Sequence, residues 1–80
     1  MRQTVKAVAI KEWCETNLTA LAWKRVVLRS LPTLMDHNLE IDVIQEPSDD
    51  LLLTGEVLET FLESIADIYD VSIPETLIEK

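Results

Sequence analysis

Apolar residues recur along residues 54–69, TGEVLETFLESIADIY, at the spacing of an α-helix. Val57, Leu58, Phe61, Leu62, Ile65, Ile68 and Tyr69 fall on one side at roughly 100° per residue. Glu56, Glu59, Glu63, Asp67 and Asp70 fall on the other side, within an arc of about 80°. The pattern predicts a helix with an apolar face and an almost purely carboxylate face. Thr54 is placed to cap it, and Glu56 lies in the first turn, where the helix dipole favours negative charge.

The pattern is less decisive elsewhere. In residues 1–15, Val5, Val8, Ala9 and Trp13 fit a helix face, and Ala, Lys and Glu favour helix. The run TVKAVAI also has the composition of a strand, so residues 4–10 stay open between the two, with helix preferred. Residues 18–30 predict a second helix, capped by Thr16 or Asn17. Leu18, Leu21, Ala22 and Leu28 are expected toward the core, with Lys24, Arg25 and Arg29 outside as a basic cluster. Pro32 interrupts: either the helix ends near Ser30, or Ser30 caps a new turn carrying Pro32 near its start. Asp36-His37-Asn38 is a turn signal. Leu39, Ile41 and Val43 alternate with Glu40 and Asp42, the period of a strand. QEPSDD at residues 45–50 reads as a loop, after which residues 51–53 pack beneath the start of the acidic helix. That helix stops near residues 70–72. Ser72, Pro74 and Glu75 then have capping-box spacing for a short final helix through Leu77 and Ile78. The expected fold is mainly α, a small single-domain bundle of three to four helices over residues 1–80. The alternative is α+β with a short strand near residues 39–44.

Eighty residues, 48 % of them hydrophobic, allow one thin core, which oligomerisation or a partner can complete. A single cysteine, Cys14, excludes an intramolecular disulfide and fits a reducing, cytoplasmic setting. The longest apolar runs are only a few residues, so neither a signal peptide nor a membrane span is expected. Charge changes the picture more. Seven basic residues face fifteen acidic ones, a net of −8. Residues 1–35 carry six basic and two acidic, a net of +4; residues 36–80 carry one basic and thirteen acidic, a net of −12. Such asymmetry signals a charged partner, or pairing of the two halves within the fold or across a dimer. The acidic excess disfavours direct binding to nucleic acid or anionic lipid.

The inventory for catalysis is short. Cys14 and His37 are the lone members of their types, and nothing in the spacing requires them to meet as nucleophile and base. Gly55, the only glycine, makes no phosphate-cradling loop. Asp36, Asn38, Glu40 and Asp42 alternate like early calcium-loop ligands, but Ile41 occupies the glycine position and Pro47 replaces the final Glu. A helix-turn-helix over residues 65–79 has Asp70 at the turn glycine, and Glu75, Thr76 and Glu79 where phosphate-binding Arg or Lys would stand. No enzyme, metal or cofactor is expected.

Asp50-Leu51, then LLTG, the amphipathic helix and Tyr69-Asp70-Val71-Ser72-Ile73-Pro74 resemble the central part of acyl or peptidyl carrier proteins. The resemblance covers about the last 30 residues. It implies an acidic docking helix and no prosthetic arm, because Gly55 falls where that family's phosphopantetheine-bearing serine stands. The family's fourth helix would be missing.

The stripe itself is the leading feature. Glu56, Glu59, Glu63, Asp67 and Asp70 place a carboxylate about every turn, ~5–6 Å apart along the axis, loosely like backbone phosphates. The expectation is a non-enzymatic module, an inhibitor or adaptor that docks this stripe on a basic surface of a protein partner. Nucleic-acid mimics, anti-defence proteins of the anti-CRISPR kind and antitoxin or immunity proteins share its size and charge. A homodimer or larger assembly held by the complementary halves is one alternative; a degenerate carrier-like domain is another. Trp23, Lys24, Arg25 and Arg29 are secondary interaction candidates. Trp23 would anchor an interface if exposed and belongs to the core otherwise, as does Trp13.

Overall fold

The computed structural model describes residues 4–74 and Leu77. The elements follow the chain as β1 (Thr4–Lys6), α1 (Ala7–Asn17), α2 (Ala22–Arg29), α3 (Leu31–Asp36), α4 (Ile41–Gln45), β2 (Leu52–Thr54) and α5 (Gly55–Tyr69). The fold is mainly α with one short antiparallel strand pair. Five helices form among the described residues, rather than three or four, because residues 31–45 yield two short ones, the first carrying Pro32 in its first turn. None is long and apolar enough to cross a membrane.

The strand expected near residues 39–44 is not there. Glu40 is extended, but Ile41–Gln45 turns into α4, with Asp42 in its first turn. The alternation of Leu39, Ile41 and Val43 is not used: Ile44 is the buried residue, while Ile41 and Val43 are exposed. The strands lie at residues 4–6 and 52–54 instead, with Val5 opposite Leu53 and both turned into the core. The amide of Ala7 donates to the carbonyl of Leu51 at 2.9 Å, extending the pairing to the start of α1. Both readings of residues 4–10 are therefore partly realised, as three residues of strand followed by helix.

The helix expected over residues 18–30 starts later and is rotated. α1 continues through Asn17, whose side-chain amide donates back to the Trp13 carbonyl at 3.0 Å, so neither Thr16 nor Asn17 caps α2. Leu21 is the N-cap residue of α2, without a side-chain cap, and Thr19 closes the turn before it: its hydroxyl accepts from the Leu21 amide and its carbonyl from the Ala22 amide. Ala22, Trp23, Val26 and Val27 are buried, while Leu21 and Leu28 are 59 % and 48 % exposed. The cause lies on the helical wheel. Lys24 and Arg25 flank the line from Leu21 to Leu28, so burying those leucines would drag two cations into the core. Ser30 then leads into α3 with Pro32 in its first turn, and its hydroxyl donates to the Val26 carbonyl at 2.8 Å.

The core is centred on Trp23 of α2 and Phe61 of α5, whose rings lie 5.3 Å apart at 43°. Ile10 and Cys14 of α1, Leu34 of α3, Ile44 of α4 and the strand residues Val5 and Leu53 close around them. The Trp23 indole N–H donates to the Ile44 carbonyl at 3.0 Å, so α4 is held to α2 by a buried polar contact as well as by packing.

α5 forms where the periodicity places it. Val57, Leu58, Phe61 and Ile65 are buried, and Leu62 and Tyr69 pack half-buried against the core. Thr54 makes no side-chain cap. The entry is made by Gly55, whose φ of +54° turns β2 into the helix and suits a residue without Cβ. Leu52 and Leu53 belong to β2; Leu53 is buried and Leu51 packs half-buried against the core, while Leu52 is exposed. Asp70 ends the helix in the left-handed conformation. The final helix expected from Ser72 through Ile78 falls largely on residues outside those described; the Leu77 amide donates to the Pro74 carbonyl at 3.0 Å.

Candidate functional site

α2 and α3 run antiparallel to α5 along a polar seam. His37 and Glu56 meet at the N-terminal end of α5, where the imidazole Nε2 lies 2.8 Å from the carboxylate Oε1. One turn on, the hydroxyls of Thr33 and Thr60 are 3.3 Å apart. A further turn on, those of Ser30 and Ser64 are 3.2 Å apart and buried. Arg29 then pairs with Asp67. The α5 partners fall at positions 56, 60, 64 and 67, the spacing of one edge of a helix.

This seam divides the acidic stripe. All five carboxylates, Glu56, Glu59, Glu63, Asp67 and Asp70, are exposed. Glu56 is held by His37, from its own half of the chain, and Asp67 by Arg29 of the basic first half. Glu59, Glu63 and Asp70 have no salt-bridge partner among the described residues. Glu63 and Asp67 also line an open groove with Arg29, Thr60, Ser64 and Ala66. The row of charge thus sits on a helix whose opposite face is fixed in the core, and three of its members are exposed with no salt-bridge partner among the described residues.

The secondary candidates separate. Trp23 is 2 % exposed, so it is a core residue and not a surface anchor. Trp13 is half-buried against the core. Lys24 and Arg25 are exposed and make no salt bridge among the described residues, whereas Arg29 is engaged by Asp67. Sequence reasoning did not foresee His37, Thr33, Ser30 or their partners as a seam. The available signal was weak: small polar residues on α5 at Thr60 and Ser64, placed between its two faces.

Cys14 and His37 are not brought together. Cys14 is fully buried in α1, and burial, with Glu15 adding to it, pushes its thiol up to about 11. His37 is exposed and turned to Glu56. Among the described residues no group of three or more His, Cys, Asp or Glu side chains is arranged to hold a metal ion. What the arrangement offers chemically is a rigid row of hydrogen-bond acceptors and negative charge. Comparisons with family models, curated proteins and solved structures find no match to this chain, so the carrier-like resemblance rests on its residues alone.

Proposed function

We propose that this chain is a non-enzymatic protein-binding module, an acidic inhibitor or adaptor of the nucleic-acid-mimic, anti-defence or antitoxin/immunity type. It docks the exposed face of α5 on a basic surface of a protein partner. One observation carries the reading: Glu59, Glu63 and Asp70 lack an internal counter-charge among the described residues, on the same helix where Glu56 and Asp67 have partners. From Glu59 to Asp70 the row spans about 16 Å of helix axis, enough to engage several Arg or Lys side chains at once. Like charges held on a rigid element speed approach to a basic surface and fix its register.

The test is capture from native lysate with the wild-type chain and with a variant carrying Glu59→Lys, Glu63→Lys and Asp70→Lys. The expected result is a partner retained by the wild type, released by salt and lost by the variant, whose helical circular dichroism is unchanged. Equal capture by both would leave the stripe as an ordinary solvated face.

A second reading has its own observation, Lys24 and Arg25, which are exposed and make no salt bridge among the described residues. In this reading they meet the stripe of another copy and build a homo-oligomer. Sedimentation at low and high salt separates the two, since a monomer at both removes the oligomer.

A further inference from the structure

We propose that the outward ridge of α2 and α3 is a second docking surface, which takes an amphipathic helix bearing carboxylates beside its apolar anchors. The proposal does not depend on the acidic face of α5. Leu21, Leu28 and Met35 stand on this ridge at 59 %, 48 % and 69 % exposure. They are spaced by seven residues, the interval that returns a side chain to nearly the same face of a helix. Ser30 joins the two helices directly: its amide donates to the Val26 carbonyl and its own carbonyl accepts from the Leu34 amide, both at 3.0 Å. Lys24 and Arg25 stand on either side of the line, exposed and without a salt bridge among the described residues.

Single exposed leucines are ordinary. Three large exposed apolar residues on adjoining helices, with Lys24 and Arg25 beside the first two and in no salt bridge among the described residues, make a recognition surface with a defined complement. Apolar anchors about 10 Å apart suit a helix laid along the ridge with its own residues at i, i+3 or i+4, and i+7. The cations select Asp or Glu beside those anchors. A second copy fits less well. Ridge against ridge would bring two sets of Lys24 and Arg25 together, and α5 of another copy offers carboxylates while its Phe61 and Ile65 are buried. An anionic bilayer repels a chain of net charge −8.

The experiment selects 16-residue helical peptides from a displayed library on the full chain. The expected consensus has apolar residues at helical spacing flanked by Asp or Glu. A synthesised consensus peptide should bind about tenfold or more weakly to the Leu28→Glu variant. It should also weaken on the paired Lys24→Glu and Arg25→Glu variant, and recover there when its own carboxylates are exchanged for Lys. Glu59→Lys with Glu63→Lys should leave its binding unchanged, which separates this surface from the acidic face. All these positions are exposed, and circular dichroism checks that each variant folds. The proposal is overturned by a basic consensus, by no enrichment, by a wild-type dimer that Leu28→Glu dissociates, or by flotation with phosphatidylglycerol vesicles that Leu28→Glu abolishes.

Discussion

Asp70 stands in a costly place. It closes α5 at φ 57° and ψ 43°, a left-handed conformation that glycine adopts freely and that costs other L residues roughly 1–2 kcal/mol, Asp and Asn less than most. Its carboxylate also meets the negative end of the helix dipole, and no basic residue lies in the last turn. Asp70→Gly is therefore expected to stabilise the chain by about 1 kcal/mol in urea unfolding at low salt. A loss of stability would mean that the carboxylate has a partner within the fold. Retaining Asp at a position better served by Gly is what a docking role for the stripe predicts. Cys14 makes a second residue-scale case. Burial raises its thiol from 9.0 to about 11, so the folded chain holds that proton more tightly than the unfolded chain does. Its contribution to stability is complete below pH 9 and declines as pH rises from about 9 through about 11. Across that window the stability of Cys14→Ala should fall less steeply than that of the wild type; parallel curves would show that the thiol ionises without resisting unfolding.

At the scale of elements, α5 carries opposite effects on its two edges. Glu63 has like charges one turn away on both sides, Glu59 and Asp67, and no salt bridge among the described residues. Each such pair costs about 0.2–0.5 kcal/mol in a helix. Glu63→Gln should therefore raise stability by roughly 0.5 kcal/mol at low salt, while Asp67→Asn, which removes the partner of Arg29, should show no gain. Denaturation midpoints at one ionic strength decide it; equal shifts would mean that the Arg29 contact contributes nothing. The helix was legible because seven apolar residues repeat at its own period, and its five carboxylates were legible with it. Their partners were not, since His37 and Arg29 are 19 and 38 residues away in the chain and tertiary packing alone brings them close. α2 was misread for a different reason. Two apolar sets compete on it, and the desolvation of Lys24 and Arg25 decides for Trp23, Val26 and Val27. The strands were obscure because three residues are too few to show a period, while the alternation at residues 39–43 gives way to α4, which buries Ile44 and leaves Ile41 and Val43 exposed.

For the whole molecule, the governing quantity is the excess of carboxylates. Thirteen acidic residues in residues 36–80 face one basic residue there, and the described salt bridges are Lys11–Glu15, Arg29–Asp67 and His37–Glu56, all exposed or partly so. Exposed pairs contribute about 0–1 kcal/mol each and weaken with salt. The repulsion acts among many more charges, held within a radius of gyration of 11.4 Å. Screening shortens their reach from about 30 Å at 0.01 M salt to about 10 Å at 0.1 M. Salt therefore removes more repulsion than attraction, and the thermal midpoint should rise as sodium chloride is raised from about 10 mM to about 500 mM. The rise should shrink in a variant carrying Glu59→Gln, Glu63→Gln and Asp70→Asn, because these unpaired members of the stripe have no attraction to lose among the described residues. A midpoint that falls with salt would reverse the balance. Attraction between the basic first half and the acidic second half would then outweigh the repulsion, and the stripe would be neutralised from within rather than kept for a basic partner.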